Sequence, residues 1–128
     1  MRRGMLVILG SVLAAVALAA AWVALGAAEP SGMSRGGVLA RLTVPAPIRD
    51  AAMPGACGEA ALSRRWIECG GICGAIYRLE AASTAPVGRI EAAMDALRER
   101  ALPRYDVRVR AEPGEGCRPA SVEFIIEE

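Results

Sequence analysis

The stretch that decides the fold lies at residues 72–101 and reads ICGAIYRLEAASTAPVGRIEAAMDALRERA. Its first part alternates between the two sides of an extended chain, which predicts a strand from about Ile72 to Ala81. In its second part the apolar residues recur every three or four positions, at Val87, Ile90, Met94, Leu97 and Ala101. That spacing predicts a one-sided helix, and Pro86 and Pro103 bound it. A strand joined to one amphipathic helix indicates a helix packed on a sheet.

Two further elements are predicted upstream of this stretch. Residues Val38 to Val44 alternate in polarity ahead of Pro45, which predicts a first strand. Residues Gly58 to Cys69 are predicted to form a helix that ends at the Gly70-Gly71 pair. The helix prediction rests on the helical spacing of Leu62, Trp66, Cys69 and Cys73.

The C-terminal part predicts two more strands, Tyr105 to Ala111 and Ser121 to Glu127. In an antiparallel pair, the residue numbers of any two facing residues add to the same sum. That sum must be odd here, because a shift of one residue would turn one apolar set away from the core. Opposite charges on facing residues help to fix the register. The facing pairs we expect are Val109 with Phe124 and Arg110 with Glu123.

These elements together predict an α+β fold. We expect one N-terminal transmembrane helix or signal peptide, followed by a small two-layer β-α-β-α-β-β domain that is cross-linked by disulfides. The last four elements are compatible with a ferredoxin-like arrangement.

The N-terminal segment predicts export. Residues Gly4 to Ala28 carry no charge, and Arg2 and Arg3 precede them. As a helix this segment would span about 37 Å, more than the ~30 Å of a hydrocarbon core. A basic flank stays in the cytoplasm, so the remainder of the chain is expected outside it. Small residues before Glu29 and before Trp22 also permit cleavage as a signal peptide, and both outcomes stay open.

The domain boundaries follow from this segment. We predict a signal-anchor over residues 1–28, a flexible spacer over residues 29–37 and an exported domain over residues 38–128. The expected location is a bacterial inner membrane, crossed once, with the N-terminus in the cytoplasm and the domain in the periplasm. The alternative is secretion after cleavage of the signal.

Four cysteines, Cys57, Cys69, Cys73 and Cys117, lie in the exported part. An even number in a small exported domain predicts two disulfides, and the spacing alone permits three pairings. Because Cys69 and Cys73 would close a very short ring, we favour long-range pairs, with Cys117 joined to Cys69 or Cys73.

Composition excludes several classes of function. The chain has no histidine, and it also lacks lysine, asparagine and glutamine. This removes triads and metal sites that need imidazole, and lysine Schiff bases. Basic and acidic residues number 15 and 14, so a nucleic-acid partner is not expected. We predict no catalytic residue, no metal site and no cofactor.

The function we predict is therefore binding. The exported domain is expected to bind or stabilise another envelope protein through a sheet edge or a solvent-exposed sheet face. The candidate strands are Val38 to Val44 and Ser121 to Glu127. Ile125 is predicted to point outward as an exposed apolar contact, and Arg108 and Arg110 are predicted to bind an anionic headgroup or an anionic partner.

An exported thiol-disulfide protein is the alternative. Cys69 and Cys73 would form its redox pair, although three residues separate them where Cys-X-X-Cys has two.

Overall fold

A computed structural model describes residues 2–127 of the chain. It contains an apolar N-terminal helix followed by a small antiparallel sheet with helices, and it brings the four cysteines together in two pairs at disulfide distance. The elements in chain order are α1 (Arg2–Ala27), β1 (Met33–Ser34), α2 (Val38–Thr43), α3 (Ala46–Arg49), β2 (Ala61–Glu68), β3 (Ile72–Ser83), α4 (Val87–Ala101), β4 (Asp106–Ala111) and β5 (Arg118–Glu127).

The sheet has five strands in the order β1-β2-β3-β5-β4, and every neighbouring pair is antiparallel. Alternate residues point to one face, which we call the core face. The central cross-strand row on that face is formed by Met33, Leu62, Leu79, Val122 and Val109. Helix residues complete the same core, because Ile48, Ile90 and Met94 are fully or almost fully buried in it.

The central predictions are confirmed. The alternation after Ile72 forms β3, and the helical stripe forms α4 over the range Val87–Ala101. The helix begins after Pro86, whose extended backbone serves as its N-cap, and it ends ahead of Pro103.

The predicted strand over Val38 to Val44 is wrong, since Val38–Thr43 is the helix α2. Its buried residues are Ala40 and Thr43, which are spaced three apart as on one side of a helix. A short apolar run fits both periods, and here packing selects the helical one.

The predicted helix over Gly58 to Cys69 is also wrong, because Ala61–Glu68 is the strand β2. Leu62, Arg64 and Trp66 share its core face. An arginine at the middle position hides the alternation, because a charged residue is rarely expected among buried ones.

The C-terminal strands pair antiparallel with an odd register, as predicted, but two residues away from the predicted pairs. Val109 faces Val122, and Arg108 rather than Arg110 faces Glu123. A two-residue slide keeps the same side chains on the core face, so the hydrophobic pattern cannot distinguish the two registers. The observed register gives the shorter loop between β4 and β5. The backbone N–H of Glu112 closes this loop by donating to the Pro119 carbonyl at 3.2 Å.

Residues 29–37, predicted to be a flexible spacer, contact the sheet. Met33 in β1 is buried and faces Leu62. The backbone N–H of Arg64 donates to the carbonyl of Pro30 at 2.9 Å. The chain therefore reaches the edge of β2 almost directly after α1.

Candidate functional site

The sheet face opposite the core carries a patterned set of polar residues, which we call the polar face. Three of its cross-strand rows extend from β2 to β4. They are Ala61, Glu80, Ser121 and Arg110; Ser63, Arg78, Glu123 and Arg108; and Arg65, Ile76, Ile125 and Asp106. Arginines and carboxylates therefore lie side by side across the strands.

The charges of this face are only partly paired. Arg78 lies 2.9 Å from a carboxylate oxygen of Glu80, measured from its Nε atom. Glu123 lies between Arg78 and Arg108 in register. Arg108 and Arg110 are exposed, and neither forms an ion pair with any residue in the range 2–127. These two guanidinium groups are available to a partner carboxylate.

A groove of about 750 Å³ opens at one end of the polar face. Strand and loop residues line it, including Glu80, Arg110, Pro113 and Pro119. A smaller cavity of about 190 Å³ lies farther along the face, and Glu29, Arg65 and Glu123 are among the residues that line it. The face is thus concave at two points, and charged side chains border both.

Ile125 is on the polar face, as its alternation predicts, but its predicted exposure is wrong. Only 7 % of its surface is exposed. The reason is that β5 is an internal strand, so Ile76 and Asp106 flank Ile125 from both sides. For the same reason Ser121–Glu127 does not offer a sheet edge. Within residues 2–127, the long strand at the edge is β4, which carries Arg108 and Arg110.

The cysteines pair differently from the prediction. Cys57 pairs with Cys117, with Cα atoms 6.2 Å apart, and Cys69 pairs with Cys73, with Cα atoms 6.0 Å apart. The predicted link from Cys117 to Cys69 or Cys73 is therefore wrong. Sheet geometry explains this, because Ser83 of β3 bridges to Ala56 and faces Arg118, the neighbours of Cys57 and Cys117.

The two pairs differ in what they contribute to the fold. The Cys57–Cys117 pair spans a sequence separation of 60, and the Cys69–Cys73 pair spans 4. In the chain-entropy picture these loops correspond to roughly 4 and roughly 2 kcal/mol of stabilisation. The second pair lies at the exposed tip of the β2–β3 hairpin, beside Gly70 and Ile72. It contributes less to stability than the Cys57–Cys117 pair.

Arg64 is a central residue that the sequence analysis missed. It lies on the core face of β2 and is only 7 % exposed. Its Nη2 donates to the carbonyl of Leu25 at 2.6 Å and to that of Ala28 at 2.8 Å, and its Nη1 donates to the carbonyl of Thr43 at 3.4 Å. The guanidinium also lies 4.6 Å from the centre of the Trp66 ring.

This arrangement joins α1 to the domain. Carbonyls at the C-terminal end of a helix have no partner within it and carry partial negative charge, so a cation there is favourable. Arg64 satisfies two carbonyls at the end of α1 and one at the end of α2 with a single side chain. The sequence signal that could have found it is an arginine at the middle position of an otherwise apolar alternation, Leu62, Arg64 and Trp66.

Two tyrosines lie beside this joint. Burial raises the pKa of Tyr77, and the positive charge of Arg64 opposes that shift. Burial also raises the pKa of Tyr105, with a further contribution from Tyr77, while Arg104 opposes it. Their rings lie 6.4 Å apart between centres. Both phenols therefore stay protonated at neutral pH.

No protein-family model, no curated protein and no solved structure matches this chain.

Proposed function

We propose that the protein is a membrane-anchored envelope protein whose exported domain binds another envelope protein. Binding is non-enzymatic and uses the β4 edge together with the polar face. The anchor lies in a bacterial inner membrane, with the N-terminus in the cytoplasm and the domain in the periplasm.

The properties of α1 support the anchor. The helix has 26 residues, is apolar enough to cross a membrane, and buries none of its residues against the domain. Length and composition fit a membrane anchor or a signal peptide equally. Two features favour retention: Trp22 suits the membrane–water interface, and Arg64 uses the end of α1 as a structural partner.

The observation that carries the binding proposal is the free edge of β4. It pairs with β5 on one side, and no described strand of residues 2–127 pairs with it on the other. A strand edge exposes backbone donors and acceptors that an extended segment can pair with. The unpaired charges of Arg108 and Arg110 lie on this same strand.

The geometry of β4 defines the partner's chemistry. A segment added beside β4 would place every second side chain next to Arg108 and Arg110, where carboxylates are favourable. Its remaining side chains would lie on the core-face side, next to the half-buried Val107 and Val109. The partner segment is therefore an extended stretch in which acidic and apolar residues alternate.

A designed peptide tests this proposal. A labelled peptide of alternating Glu and Val is titrated against the full chain in detergent micelles, beside a Lys/Val peptide. We expect the acidic peptide to bind and the double variant Arg108→Glu/Arg110→Glu to weaken that binding about tenfold, ~1.4 kcal/mol. The matched control is Arg89→Glu/Arg100→Glu, which reverses two exposed charges on α4.

The same variants are then compared in cells. A photo-cross-linking residue at position 110 should capture an envelope protein through an acidic segment, whereas one at position 89 should not. Equal capture at both positions, or equal peptide affinity in both double variants, would contradict the proposal.

A thiol-disulfide function is the second candidate. It is favoured by the pairing of Cys69 with Cys73 at an exposed hairpin tip. Thiol titration of the full chain in rising concentrations of reductant separates the candidates. A Cys69–Cys73 bond that opens long before Cys57–Cys117 would favour redox work. Two bonds that resist the reductant together would favour a structural scaffold.

A further inference from the structure

The exposed face of α2 is unusually apolar for a domain surface. In the described residues after α1, the large apolar side chains that are exposed are Val38, Leu39, Leu42, Ile72 and Val87. Three of the five belong to this one short helix, with exposed fractions of 72 % for Val38, 42 % for Leu39 and 56 % for Leu42. A cluster of this kind marks a surface that contacts something other than water.

The orientation of α2 is fixed by its other side. Ala40 is completely buried, and Thr43 is buried with its hydroxyl donating to the Leu39 carbonyl at 2.7 Å. At about 100° per residue, the three exposed apolar residues fall within an arc of roughly 100°. Arg41 lies at the border of this arc and is exposed. The face is thus an apolar stripe bordered by a cation.

The position of α2 relative to α1 places this stripe close to the end of the apolar helix. The guanidinium of Arg64 binds the Thr43 carbonyl at the end of α2 and the Leu25 carbonyl at the end of α1. The end of α2 therefore lies within the reach of one side chain from the point where α1 ends. Trp22 lies less than one turn before Leu25, and tryptophan suits the membrane–water interface.

We propose that α2 lies on the outer surface of the membrane, with Val38, Leu39 and Leu42 inserted at the boundary between headgroups and acyl chains. Arg41 extends toward lipid phosphates while its aliphatic stem stays at the apolar boundary. This inference rests on the anchoring of α1 given above. It adds a second membrane contact, which fixes how the domain is tilted and which way the β4 edge faces.

Site-directed spin labelling of the full chain tests this contact. Single cysteines are introduced by Leu39→Cys, Leu42→Cys and, as control, Val87→Cys on α4. Leu39 and Val87 are matched, because each is 42 % exposed. Labelling without reductant leaves the native pairs intact. The chain is reconstituted in vesicles of phosphatidylcholine and phosphatidylglycerol, and collisions with oxygen and with a water-soluble nickel chelate are measured.

We expect the labels at positions 39 and 42 to lose nickel-chelate collisions and gain oxygen collisions relative to position 87. Equal accessibility at all three positions would overturn the inference. Shielding of positions 39 and 42 from both reagents would also overturn it, because it would indicate a second copy of the chain over α2. A fourth label, Val12→Cys in α1, separates the two proposals. An aqueous signal there would reject the anchor and this inference together, whereas a lipid signal there with aqueous signals at 39 and 42 would reject this inference alone.

Discussion

Arg64 and Arg65 are neighbours in β2 that point to opposite faces of the sheet. Arg64 is buried, donates to carbonyls from two helices and contacts the Trp66 ring. Arg65 is exposed and borders a small cavity on the polar face. The same residue type is thus structural on one face and available for binding on the other. The two arginines differ because carbonyl acceptors from two helices surround the guanidinium of Arg64 and hold it in place.

The largest contrast between the two faces is expected at Phe124 and Glu123. Phe124 is fully buried in the core. Phe124→Ala should lower the free energy of unfolding by about 3–5 kcal/mol, because it removes apolar contacts and leaves a cavity. Glu123→Ala, one residue away on the polar face, should change it by less than about 0.5 kcal/mol. Urea unfolding of the full chain in micelles measures both, and equal losses would mean that the polar face is also core.

The two arginines give the next largest contrast. Arg64→Met keeps the aliphatic stem but removes the guanidinium that donates to the carbonyls of Leu25, Ala28 and Thr43. We expect a loss of about 2–3 kcal/mol, since hydrogen bonds from a charged donor are strong and the acceptors are partly buried. Arg65→Met is the control and should cost less than about 0.5 kcal/mol. If both variants unfold at the same urea concentration, Arg64 does not join α1 to the domain.

A smaller effect is expected from pH. The pKa of Tyr77 is raised in the folded chain by burial, so the folded state holds the phenol proton more tightly than the unfolded state. This contribution is fully present below the ordinary pKa of about 10 and is lost as the pH rises through the higher folded value. Stability should therefore fall in alkali, and less steeply in Tyr77→Phe. Identical slopes in both proteins would contradict the buried position of this phenol.

The sequence was sufficient to predict the elements whose periodicity is uninterrupted. The alternation of β3 and the stripe of α4 each contain only side chains that suit their positions. The apolar sets of β4 and β5 predict the shared face but not the register, because a two-residue slide satisfies the same pattern. The predicted α+β class follows from these elements, and the apolar N-terminal helix follows from its composition.

The wrong predictions have physical causes that local sequence patterns do not contain. Arg64 breaks the alternation of β2, and its acceptors lie at the ends of α1 and α2, far away in the sequence. The residues of α2 fit a strand or a helix until their packing partners are known. The burial of Ile125 depends on β5 being internal, and the cysteine pairing depends on which strand ends meet. Each of these is decided by topology.

Retention of α1 is the central claim, because the anchor and the proposed membrane contact of α2 both depend on it. The most direct test is the intact and peptide-mapped mass of the protein, isolated without reduction from whole cells and from the medium. We predict a chain that still contains residues 1–28, with Cys57 linked to Cys117 and Cys69 linked to Cys73. A chain that begins at Glu29 or Trp22, with Cys69 and Cys73 as free thiols, would contradict this account and favour the thiol-disulfide function.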